Sequence, residues 1–236
     1  MTGWSDGTTM DVRDSRREEL YTAANTDRQF VPHRRWSKGR SISVNLVLSV
    51  FYSVFAYSSL QFWLRTGSLV SVGLVAVNTL MVVCFLARRT PSAVTGSIRN
   101  WLVASLAQVL PLLLRPVTSQ SWHILVASSI GQVLGLGIML ASLTVLNRSI
   151  GVIAANRGIR TRGIYSFVRH PLYAGEIIFF LSFLVANLNL TNTLLLPVLV
   201  MAQLVRASQE EALLVRDSEY RLYQARVPYR VIPGIF

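Results

Sequence analysis

From residue 29 to residue 175 the chain has no aspartate or glutamate. Charged residues make up 14% of the whole, against about a quarter in an ordinary soluble domain. A surface so poor in acids and in charge is a poor match to water. It suits a bilayer, where each charge at the centre of a helix costs about 2.5–3.5 kcal/mol on insertion scales. Lysine is nearly absent, Lys38 being the only one, so the net charge of +12 is carried by arginine. The single Cys84 excludes an intrachain disulfide, and its apolar setting makes it a small buried hydrophobe. The first 40 residues lack the apolar core of a signal peptide, and no cleavage is expected there.

What the sequence has instead is long apolar blocks with basic residues between them. That distribution argues against nucleic acid, which calls for a basic patch on a soluble fold, and for anionic lipid headgroups as the neighbours of the arginines. The blocks 42–64, 68–87 and Trp122–Leu146 hold 20 to 25 residues each, enough to cross about 30 Å of hydrocarbon at about 1.5 Å per residue. The block 101–114 is shorter and carries Pro111, so it needs its flanks or a partner helix to span. In the Trp122–Leu146 block, Gly131 and Gly135 form a small-xxx-small pair that lets another helix approach closely. A Gly135-Leu-Gly137 triplet in the same helix has no preceding strand and is read as packing, not as a cofactor loop.

The last block, 177–205, holds Asn187, Asn189 and Asn192 at its middle. Three amides exposed to lipid would be costly, and asparagine favours turns, so a helical hairpin is expected. The positive-inside rule agrees. With the N-terminal segment inside and the hairpin returning, all of the 23 Lys and Arg except Arg65 and Arg115 lie on the cytosolic side. The expected fold is an all-α integral membrane protein with about six membrane helices, the last two a hairpin. Residues 1–40 read as a flexible cytosolic tail with a short helix around 14–24, residues 41–121 as the N-terminal membrane helices, and 122–236 as the functional region. Both termini are expected in the cytosol, at the plasma membrane of a bacterium or the endoplasmic reticulum of a eukaryote.

Outside the tail every acid lies at or after Glu176, so the cytosolic mouth of the hairpin is its reactive end. Three groups of residues gather there. The first runs from Arg157, Gly158, Ile159 and Arg160 through Tyr165 to Arg169, His170, Pro171, Leu172, Tyr173, Gly175 and Glu176. Pro171 suits the first position of a helix capped by His170, with Tyr173 and Glu176 stacked on one face. The free N–H groups of such a helix start attract carboxylates and phosphates. An interfacial belt accounts for Arg and Tyr singly, but not for a compact RHPxYxGE string. The second group is Arg206, Glu210 and Glu211. On spacing alone, Arg206 and Glu210 read as a surface pair worth about 0.3–0.5 kcal/mol. The third, from Tyr220 and Tyr223 through Arg226, Pro228 and Arg230 to Phe236, reads as a short amphipathic helix with an apolar end that tucks against the membrane.

In this order and spacing the three groups resemble the isoprenylcysteine carboxyl methyltransferase family and its phospholipid-methylating relatives, over residues 134–236. The resemblance implies an S-adenosylmethionine-dependent methyltransferase that takes its cofactor from the cytosol and a lipophilic or lipidated acceptor from the bilayer, with no nucleic acid and no metal. It implies cofactor contacts at Arg157, Gly158, Ile159, Arg160, Tyr165, His170, Pro171, Leu172, Tyr173 and Glu210, and an acceptor-facing Arg206. Eukaryotic carboxyl methyltransferases usually have an aromatic residue where this chain has Glu176, which counts against a prenylated cysteine as acceptor. Displacement at a sulfonium asks the enzyme mainly to position and desolvate the partners. A carboxylate acceptor needs only a cation such as Arg206. An amine or thiol must lose a proton, for which Glu176 or Glu211 are the candidates.

Two other readings compete. NADPH-dependent membrane sterol and steroid reductases share an RHPxYxGE-type string, but the Glu210-Glu211 pair and the Arg-Val-Pro-Tyr-Arg ending favour the methyltransferase. A scaffold or transporter would set ionisable groups near the bilayer midplane, whereas these acids lie at its edge.

Overall fold

The computed structural model describes residues 33–34, 37–117 and 121–234. Most of the 1–40 segment, the short helix expected around 14–24 and the terminal Phe236 lie outside them. The described chain forms seven α-helices: α1 (Lys38–Thr66), α2 (Leu69–Ala87), α3 (Ile98–Val109), α4 (Trp122–Leu146), α5 (Pro171–Ala186), α6 (Leu190–Leu214) and α7 (Ser218–Arg226). Three very short strands, β1 (His33–Arg34), β2 (Ala93–Thr95) and β3 (Ala155–Asn156), make one antiparallel sheet in the order β1-β2-β3.

Helix ends follow the local chemistry. The Ser37 side chain accepts from Arg40 N at 3.2 Å and starts α1 at Lys38, inside the segment read as tail. Gly67, at φ 66°, closes the same helix in the left-handed conformation. Pro111 has no N–H to give, and α3 tightens there into a 3₁₀ turn at Leu110–Leu113. His170 caps α5 with Pro171 at its first position, as the sequence suggests. The α5–α6 connection is confined to residues 187–189, so the last block is a hairpin.

Four helical segments are long and apolar enough to cross a membrane: Lys38–Thr66, Leu69–Ala87, Trp122–Ser149 and Leu190–Leu214. The apolar segments Ile98–Leu113 and Pro171–Ala186 are shorter. At about 1.5 Å per residue, 16 helical residues reach about 24 Å, short of the ~30 Å core. Large apolar side chains such as Val47, Leu69, Leu102 and Ile130 stand more than 60% exposed, forming the lipid-facing surface of a protein whose polar groups turn inward.

α4 and α5 touch backbone to backbone. A Cβ on Gly135 would stand 2.7 Å from the Gly175 carbonyl oxygen, and one on Gly175 would stand 2.8 Å from that of Gly135. The small-residue spacing read in the sequence is this crossing.

The two ends of the bundle are tied differently. At one, the sheet joins the residues before α1, the α2–α3 loop and the α4–α5 loop, pairing Arg34 with Val94 and Val94 with Ala155. At the other, the hairpin asparagines hold the extended segment after α3. Asn192 Oδ1 accepts from Arg115 N, and Asn187 Oδ1 from Val117 N, both at 2.9 Å. Asn192 Nδ2 donates to Arg115 O at 2.8 Å and to Asn187 O at 2.6 Å.

Candidate active site

The start of α5, the last turns of α6 and the segment after α7 are bound together by one carboxylate. Glu211 is 4% exposed. Its Oε1 accepts from Arg169 Nε at 2.7 Å and lies 3.1 Å from His170 Nε2; its Oε2 accepts from Arg230 Nε at 2.8 Å and Arg169 Nη2 at 3.3 Å. Arg169 Nη1 also donates to the carbonyls of Val227 and Pro228, at 2.7 and 2.8 Å. The main chain follows: Arg169 N donates to Tyr229 O and His170 N to Arg230 O. The segment after α7 therefore folds over the α5 start, with Val227 and Val231 buried, where the sequence suggests a membrane anchor.

Beside this clamp opens a cleft lined by Arg157, Gly158, Ile159, Arg160, Tyr165, His170, Leu172, Tyr173 and Glu210. Every cofactor residue implied by the resemblance lines it except Pro171, which builds the helix start. Tyr173 donates to Glu210 Oε2 at 3.0 Å, and its ring stacks on His170 with centroids 5.4 Å apart. Tyr223 donates to the Tyr165 carbonyl at 2.7 Å. Burial pushes the phenols of Tyr165, Tyr220 and Tyr223 up, so each is a neutral hydroxyl here. The Arg157 loop is held by Ser149, which donates to Arg157 O at 3.2 Å, and turns at Gly158 with φ 96°.

Two buried groups in this cleft lack partners. Among the described residues, Arg157 Nε and Nη1 find no acceptor, and the Tyr220 hydroxyl is equally unmatched. Burial, then the charge of Arg88, pull the Arg157 guanidinium below its ordinary pKa, while Glu210 opposes them. A buried cation with open donors is costly until an anion meets it. The cavity is narrow, about 70 Å³, against roughly 300–1,000 Å³ for ordinary ligand pockets. A nucleoside-sized ligand must part its walls.

A second, larger cavity of about 630 Å³ is enclosed by residues of all six helices α1 to α6, lined mainly by apolar side chains, with Glu176 and Gln203 in its wall. A row of hydrogen bonds runs to it from the loop. Arg206 Nη2 donates to Val152 O at 3.0 Å and Nη1 to Gln203 Oε1 at 2.8 Å, while Gln203 Nε2 donates to Glu176 Oε2. The Arg206 guanidinium lies 4.9 Å from the centre of the Tyr173 ring. It does not pair with Glu210; the two sit one turn apart with different partners. The cleft and the cavity thus lie in succession along the α5–α6 seam, with Tyr173 and Arg206 between them.

Of the two residues assigned to catalysis from sequence, Arg206 stands between the two spaces. Glu211 lies in the clamp, outside the lining of both. The sequence places Arg169 and Arg230 in the reactive groups without giving either a role, and does not single out Gln203. Arg169 had a signal, standing directly before the His-Pro pair. Gln203 had none, being an amide inside an apolar run.

Fold and site together define a helical membrane protein whose polar end cleft adjoins an apolar interior cavity. Residues 123–216 match the model of the Isoprenylcysteine carboxyl methyltransferase (ICMT) family, which bears out the resemblance and points to a membrane methyltransferase. The match covers α4, the Arg157 loop and the α5–α6 hairpin, and stops before α7. No curated protein matches the chain.

Proposed function

We propose that the protein transfers a methyl group from S-adenosylmethionine, bound in the cleft, to a lipophilic acceptor seated in the apolar cavity. The observation that carries this is the short link between the two spaces: Tyr173 in the cleft wall lies 4.9 Å from the Arg206 guanidinium, which donates to Gln203 in the cavity wall. The nucleoside supplies an electrophilic methyl on a sulfonium. Arg157, with its two open donors, fits the carboxylate of the amino-acid end. Glu210 accepts from ribose hydroxyls or the amino group, and the Tyr173 and Tyr165 rings offer π faces to the sulfonium. Glu211 positions His170 and the α5 start through the clamp. Arg206 fixes Gln203 and faces the Tyr173 ring at the boundary. The tyrosines and the folded-over segment exclude water, which strengthens each of these interactions.

The cleft opens to the cytosol in this reading, with both termini on that side and six crossings, the two short helices held by their neighbours. The test is binding to purified protein by calorimetry. S-adenosylhomocysteine is expected to bind and NADPH not to, and Arg157→Ala is expected to weaken the former at least tenfold. Binding of NADPH alone would replace this reading with that of a membrane reductase.

A further inference from the structure

The apolar cavity carries a charge of unexpected sign. Among the described residues that line it, Glu176 alone is charged. Arg206 is outside that wall, held by Val152 O and Gln203 Oε1. Gln203 occupies Glu176 Oε2, and Oε1 has no donor among the described residues. The rest of the wall is rich in aromatic rings, among them Phe51, Tyr52, Phe55, Phe179 and Phe180. A carboxylate in the wall of a cavity lined with aromatic rings is a cation's environment. An acidic head group there would set two like charges together in a low dielectric, which selects against it.

We propose that the cavity takes a lipophilic amine and that Glu176 Oε1 receives the proton the amine must lose before it is methylated. This rests on the methyl-transfer reading above. An ammonium head first gives one proton to Glu176, which frees the nitrogen lone pair. The lone pair forms the new N–CH₃ bond as the S–CH₃ bond of the sulfonium donor breaks, leaving the donor a neutral thioether and the product an ammonium. One proton is released overall. Glu176 lies one turn from Tyr173, about 4.5 Å along the α5 axis, so its proton is collected at the boundary between the two spaces. Gln203 is a positioning residue: with its carbonyl fixed by Arg206, its amide holds Oε2 and leaves Oε1 open.

The experiment uses the full chain in lipid nanodiscs with methyl-labelled S-adenosylmethionine and total membrane lipid. Label that survives alkali and is retained on a cation exchanger supports the proposal. Label released by alkali marks a methyl ester and overturns it while leaving methyl transfer standing; stable label that is not retained marks an ether or a thioether and does the same. No transfer to any lipid, with S-adenosylhomocysteine still bound, overturns both. Glu176→Gln is expected to lower transfer about a hundredfold or more with S-adenosylhomocysteine binding unchanged, and a wild-type rate overturns the role of Glu176. Without donor, dodecylamine is expected to bind wild type at least tenfold more tightly than laurate does; equal or reversed affinities overturn the proposal whether or not the variant folds.

Discussion

Arg169 and Glu211, 42 residues apart in sequence, meet as a buried ion pair at 2.7 Å, and the C-terminal segment is hung from that pair. Three of the four Arg169 contacts with Glu211, Val227 and Pro228 are 2.8 Å or shorter. Removing one member of a buried pair leaves the other charge stranded, at a cost of about 3–5 kcal/mol. Glu211→Ala is expected to lower the thermal midpoint in detergent and to expose residues 227–234 to protease. Unchanged cleavage there would show that the pair does not hold the segment.

The glycine crossing gives a prediction with its own control. Gly135→Ala puts a Cβ against backbone atoms of Gly175 and Phe179 that cannot rotate away; overpacking of this kind costs about 1–3 kcal/mol. Gly137→Ala, two residues on, meets nothing within 4 Å and is expected to gain about 0.5–1 kcal/mol from reduced helix entropy. Thermal unfolding of the two variants should move in opposite directions.

At the other end of the bundle Asn192 is fully buried and makes four hydrogen bonds, counting its backbone N–H to Asn189 Oδ1. Asn192→Ala removes the side-chain ones and strands Arg115 N, an orphaned group costing about 1–3 kcal/mol. A larger loss of thermal stability is expected than for Asn189→Ala, whose amide bonds are longer at 3.1 and 3.3 Å.

A ligand comparison isolates Arg157. If its open donors meet a carboxylate, S-adenosylhomocysteine should outbind methylthioadenosine, which lacks the amino-acid end, by about 1.5–3 kcal/mol, the range for a hydrogen bond to a charged group. In Arg157→Ala that preference is expected to vanish. Calorimetric titration of both ligands into both proteins closes the cycle.

Much of the fold was legible because a bilayer makes simple demands. Block length and polarity located the helices, and Trp122–Leu146 has the bounds its apolar run suggests. The hairpin was legible because three asparagines cannot face lipid. Their partner was not, since nothing in local sequence says that Asn192 reaches back to Arg115, 77 residues away. The cleft residues were legible as a string, and the family match spans that string. The division of labour between two adjacent glutamates was not. Successive helical residues point about 100° apart, so Glu210 meets Tyr173 while Glu211 turns to Arg169, and only the packing of α5 on α6 decides which is which. The sheet escaped notice because strands of two or three residues leave no periodic pattern.

That sheet has a kinetic consequence. The Arg157 loop must shift to admit anything as large as a nucleoside, yet its strand, Ala155–Asn156, is laddered to β2, which is laddered in turn to the residues leading into α1. On the proposed reading, entry of a nucleoside by displacement of this loop moves three chain segments together rather than swinging one loop. Its rate is expected to respond to substitutions at Val94, 1% exposed at the centre of the ladder, which never touches the ligand's cleft.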